Sequence, residues 1–228
     1  LYLVPKNAHT NVWVDALEKA VHQETRPPAW IDFPSYRLWT LVGIARPVRS
    51  SSKTLFVTAN LNAGGAQRSL VNLAKSLRGE IDFELMVAGQ SSATHFHDEL
   101  ADAGVRVLMA GKRCDAFDHA EAIAGKIVRE DFGTVCFWNV DARIKLLLLK
   151  VFGFSRLRFI DVSPGGYSFE EIEKNRSFQE LIAFSESQYF QRLDHLVLKY
   201  DTAVPGYSGE VKVIRNGVPE SQNYKTDY

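Results

Sequence analysis

The sequence predicts a doubly wound α/β domain, a parallel sheet with helices on both faces, preceded by an amino-terminal extension. Three observations lead there. From Thr54 onward, short apolar runs alternate with amphipathic helical patterns. Those runs are continuously apolar, as strands buried on both faces are. The chain has 228 residues, 46% of them hydrophobic, enough for one such domain and an appendage.

Residues 1–52 read as extension and linker. Three of the four tryptophans fall there (Trp13, Trp30 and Trp39), and "RPPAWIDFPSYRLW" is too rich in proline for a regular element. A short helix fits 11–23, the aromatics are expected to pack on the main domain, and "RPVRSSSK" reads as a linker. The main domain is expected over 53–220, with strands at 54–59, 82–88, 105–109, 134–138, 157–162, 195–199 and 211–215. Helices are expected between them near 65–78, 94–103, 116–130, 141–152 and 173–192, leaving 221–228 as a tail or interdomain segment. In such sheets ligands bind beyond the carboxyl ends of the strands.

Composition narrows the function classes. With 27 basic against 27 acidic residues, nothing in the net charge favours nucleic acid. Cys114 and Cys136 read as reduced thiols of a cytoplasmic protein; no Cys-x-x-Cys pair suggests a zinc site, and no metal is expected. No apolar run approaches the roughly 20 residues that span a bilayer. The chain begins at Leu1, which suggests a fragment or a processed chain.

The first strand-to-helix loop is the leading candidate site. After "TLFVTA", "NLNAGG" brings the backbone to the rim, and Gly64 and Gly65 are expected to adopt angles closed to other residues. The N–H groups there suit an anion or a sugar, and Gln67 and Arg68 in the first turn add donors. The spacing is neither G-x-G-x-x-G nor G-x-x-x-x-G-K-[ST], so by physics alone a ligand loop and a tight turn both remain open.

"LNAGGAQRSLVNLAKSL" resembles the first strand-to-helix turn of retaining glycosyltransferases of the GT-B fold, glycosyltransferase family 4. "FQRLDHLVLKYDTAV" (Phe190–Val204) and "VKVIRNGVPE" (Val211–Glu220) resemble the strand and interdomain junction that close that family's amino-terminal, Rossmann-like domain. The resemblance implies transfer of a sugar from a nucleotide sugar to a glycan or glycolipid acceptor, with retention and without a required cofactor. It implies an acceptor-side domain in which Gly64, Gly65, Gln67 and Arg68 lie near the donor phosphates. The carboxyl-terminal domain, with its E-x7-E glutamates, would follow Tyr228, so this segment alone would not catalyse transfer.

The strand "LRFIDVSPGG" departs from the family, whose members often end it with His; here Ile160 or Asp161 takes that place. Asp161 is the candidate catalytic residue, orienting an acceptor hydroxyl. The alternative is a strand-end Asp starting the turn that Pro164, Gly165 and Gly166 complete. Asn139 and Asp141 in "FWNVDAR" are expected on the same rim, Asp141 equally suited to cap the next helix. "HFHDEL" reads as a solvated helix start, because His95 and His97 would point apart on a helix. "RIKLLLLKVFGFSRLR" is either a buried helix or a basic membrane-surface element giving peripheral membrane contact.

Two other functions compete. A non-catalytic Rossmann-like binding module fits the missing His and the tryptophan-rich extension. A nicotinamide oxidoreductase fits poorly, since "MVAGQ" puts Gly89 and Gln90 where an acidic residue would hold the ribose.

Overall fold

A computed structural model describes residues 37–38, 40–42, 51–89, 92–110, 115–153, 155–163, 185–198, 207 and 211–213. The strands are β1 (Thr54–Thr58), β2 (Phe83–Val87), β3 (Val107–Met109), β4 (Thr134–Trp138), β5 (Arg158–Ser163), β6 (His195–Leu198) and β7 (Val211–Val213). All pair in parallel, in the order β3-β2-β1-β4-β5-β6-β7. The helices between them are α1 (Gly65–Leu77), α2 (His95–Asp102), α3 (Ala116–Glu130), α4 (Ala142–Phe152) and α5 (Glu186–Gln191). The expected doubly wound, Rossmann-like sheet is therefore present. The helix expected at 11–23 and most of that expected at 173–192 lie outside the described residues, as do Cys114 and the junction beyond Val213.

Alternate residues of each strand serve opposite faces. Leu55, Val57, Met86, Val135, Phe137 and Phe159 pack with α3, α4 and α5. Phe56, Leu85, Val87, Cys136 and Trp138 pack with α1 and α2. Helix α4 is buried over most of its circumference, and Leu146, Leu147, Leu148 and Leu149 are all fully buried. The core reading of "RIKLLLLKVF" holds, and its leucines are not available to a membrane surface. Among the described residues, no helix is long and apolar enough to cross a membrane.

The chain before β1 also belongs to the core. Residues 37–38 and 40–42 are helical, and Leu38 and Leu41 are buried at 0% and 2% exposure. Arg37 pairs with Asp115, the N-cap of α3, and with Asp118 at 2.5 Å, and lies over the Phe117 ring.

Two features lock the amino ends of the strands. Gly133 donates its N–H to the Lys53 carbonyl at 2.9 Å, and a Cβ at Gly133 would collide with the Ser51 carbonyl. Gly133→Ala is expected to destabilise by about 1–3 kcal/mol, read from urea midpoints, because backbone has to move to admit the methyl group. Beside it, Glu84 is buried between Lys53 (2.9 Å), Arg106 (3.0 Å) and Lys126 (2.7 Å), and Glu130 pairs with both Lys53 and Lys126. The hydrogen bond from Lys126 leads in lowering the Glu130 carboxyl to about 2, against burial. A depressed carboxyl stabilises the fold above its unfolded value, and that contribution fades as pH falls. Stability is thus expected to decline between pH 4.5 and about 2, and Glu130→Gln to flatten that part of the profile in urea titrations.

Candidate functional site

The sheet order reverses between β1 and β4, where a doubly wound fold opens its ligand crevice. Helix α1 leaves β1 on one face and α4 leaves β4 on the other, so loops 59–64 and 139–141 flank the crevice. Thr58 and Trp138, the last residues of the two strands, are in register. Trp138 Nε1 donates to the Ala66 carbonyl at 2.9 Å, tying the end of β4 to the first turn of α1.

Loop 59–64 is held mainly through its backbone. The Asn60 side-chain oxygen accepts from Asn62 N–H at 3.1 Å and Gln67 Nε2 at 3.2 Å. The Thr58 hydroxyl donates to the Asn60 carbonyl at 3.1 Å. From the β2 side, Gly89 N–H donates to the Ala59 carbonyl at 2.8 Å. The Thr94 hydroxyl reaches the Leu61 carbonyl at 2.7 Å.

Two expectations about the glycines need correcting. Gly64 is extended (φ 175), a conformation open to any residue, and Gly65 is the first residue of α1 with empty space where a Cβ would stand. Neither glycine is required by backbone angle. What the pair leaves is an exposed helix start: Gly64 brings no side-chain cap, and the first turn carries no acidic residue. Gln67 is buried against Asn60 and supports the loop from beneath.

Arg68 is corrected as well. It turns toward α2, where it pairs with Glu99 at 2.6 Å and lies over the Phe96 ring at 4.4 Å. Lys75 joins the same carboxylate at 3.0 Å. Burial pushes the Glu99 carboxyl up, but hydrogen bonds from Lys75 and Arg68 outweigh it and leave the group below its usual range.

On the other side of the crevice, Asn139 is exposed and left-handed (φ 55), a conformation that asparagine tolerates better than most residues. Asp141 caps α4, accepting from Arg143 N–H at 2.8 Å and from the Arg143 guanidinium at 2.6 Å. Burial opposes ionisation of Asp141, yet these bonds hold it below the usual carboxylate range.

Asp161 does not end its strand. β5 continues to Ser163, and Asp161 is 1% exposed. Lys145 Nζ donates to both its oxygens at 2.8 Å, and the Tyr189 hydroxyl donates at 2.6 Å. The carboxylate is engaged inside the α3–α5 face and not at the rim. Burial, with Asp161 close by, pushes the neighbouring Cys136 thiol up and keeps it protonated.

His97 corrects the solvated reading of "HFHDEL". It is buried, and its Nδ1 accepts from the N–H of Thr94, the residue before α2, at 3.0 Å. His95 remains exposed. Among the described residues, no three His, Cys, Asp or Glu side chains group as a metal site. Thr94, His97 and Trp138 were not legible as rim residues. The one available signal was the T-x-x-H spacing, which resembles a capping box with His in place of Glu or Gln.

No protein-family model matches the chain, and no curated protein matches it. Among solved structures it is similar to the signal recognition particle receptor FtsY from Elizabethkingia anophelis, with 14% identity and a TM-score of 0.32. The match covers 84% of this chain and 66% of that one, just under two thirds. A likeness this slight carries no argument about what the chain does.

Proposed function

We propose that this chain is the acceptor-side domain of a retaining glycosyltransferase that moves a sugar from a nucleotide sugar to a glycan or glycolipid acceptor. The observation that carries the reading is the uncapped amino terminus of α1 at the point where the sheet order reverses. N–H groups and the positive end of the helix dipole favour a phosphate there. The resemblance of "LNAGGAQRSLVNLAKSL" to the glycosyltransferase loop supplies the chemistry. In this reading the first turn of α1 stabilises the charge on the departing nucleoside diphosphate. Asn139, exposed across the crevice, contacts sugar hydroxyls. A second domain of the same protein supplies the nucleotide pocket, and the working compartment is the cytoplasm.

A second reading, a binding module without transfer, draws support from Asp161 and Arg68, whose charges are already engaged within the protein.

The test is Gly65→Asp. Nothing stands within 4 Å of the Cβ this substitution adds, and an acidic residue in a first helical turn is favourable. Thermal stability is therefore expected to be unchanged or slightly raised. In the complete gene product, binding of nucleotide sugars, followed by amide shifts at 64–67 and 139, is expected to weaken. Equal binding by the variant and the parent would overturn the phosphate site. Binding without transfer by the complete gene product would favour the second reading.

A further inference from the structure

His97 sits where three elements of the rim meet. It is in the first turn of α2, its Nδ1 accepts from Thr94 N–H at 3.0 Å, and its Nε2 faces Met109 Sδ of β3 at 3.2 Å. Thr94 in turn donates its hydroxyl to the Leu61 carbonyl at 2.7 Å, inside the β1–α1 loop. A neutral imidazole with an unprotonated Nδ1 is the only form that can accept from Thr94 N–H. Once Nδ1 is protonated it becomes a donor. Two N–H donors then face each other across 3.0 Å, so the Thr94 main chain has to move away, and with it the hydroxyl that holds Leu61.

We propose that His97 is a proton-operated positioning residue for the β1–α1 loop: neutral, it fixes Thr94 so that the Thr94 hydroxyl holds Leu61, and protonated, it releases that hold. This reading concerns the conformation of the loop and stands whether or not the chain transfers sugars.

The surroundings set the direction. Burial pushes the His97 imidazole down from its ordinary value, and Asp98 in the same turn only partly offsets that. α1 presents Arg68, lying on neighbouring Phe96, and Lys75, both paired with Glu99. β3 presents the thioether of Met109, and the β1–α1 loop presents the Leu61 carbonyl through Thr94. A histidine whose folded pKa lies below its unfolded one binds fewer protons in the native state. Protonation therefore favours the released form as pH falls below the ordinary histidine value of 6.5.

The test is amide hydrogen exchange of residues 60–66, corrected for intrinsic rate, at about pH 7.5 and about pH 5.5. In the parent protein, protection is expected to fall roughly fivefold or more at the lower pH. His97→Gln keeps a side chain that can accept from Thr94 N–H but cannot titrate, and its protection is expected to stay high at both values. His97→Ala is expected to be loose at both. The proposal is overturned if the parent loop shows no pH response, or if the parent and either variant respond alike. Should a variant fail to fold, the parent alone decides. The ring carbon shifts of His97 and the loop amides must titrate with one midpoint, and separate midpoints sink the idea.

Discussion

Lys145→Met is expected to destabilise the protein by about 3–5 kcal/mol, the usual cost of leaving a buried charge without its partner. Lys145 and Asp161 are 2% and 1% exposed, so water cannot replace the missing ammonium. Tyr189 supplies one remaining hydrogen bond to Asp161, which limits the loss without removing it. Adding Asp161→Asn to Lys145→Met removes the orphaned charge. The double variant is therefore expected to be more stable than Lys145→Met alone, with a coupling of about 1–3 kcal/mol in a double-mutant cycle. Chemical denaturation of the four proteins measures this directly. Additive losses would mean that the two side chains act independently and that Asp161 is available for another role.

Leu38→Ala is expected to cost about 2–5 kcal/mol, as for a well-packed core leucine anywhere in the sheet. The position precedes the first strand, in a stretch whose composition suggests an appendage. Yet Leu38 is fully buried and Leu41 nearly so, in the same cluster as Val57, Phe137 and Leu147. Arg37→Ala is expected to cost less, since its partners Asp115 and Asp118 can turn to solvent. A loss near zero for Leu38→Ala would show that the segment is dispensable.

These two sites mark where sequence reasoning stops. The strands were legible because continuous apolar runs have few alternatives in a buried sheet, and their observed ends fall within about two residues of expectation. Residues 37–38 and 40–42 were not, because prolines and aromatics nearby hide the spacing of Leu38 and Leu41. Asp161 looked like a strand end because a carboxylate inside a strand is costly unless paired. Its partner lies 16 residues earlier on a helix, a relation no local pattern reveals. Arg68 misled for the same reason, its acceptor being 31 residues away on α2. Asp141 was legible as a cap because capping is local. The glycine loop was correctly located, but the reason for its glycines was not conformational.

The loop at the rim is anchored largely by the main-chain carbonyls of Ala59, Asn60, Leu61 and Ala66, which accept from Gly89, Thr58, Thr94 and Trp138. Those acceptors persist whatever side chains the loop carries. Asn62, Ala63 and Gly65, all exposed, can be exchanged while the frame that presents them stays in place, whereas a Cβ at Gly64 would meet Gln67 Oε1 at 2.6 Å. Such a frame suits diversification: libraries randomised at these three positions should retain folded members at high frequency, making the crevice a natural starting point for selecting new ligands.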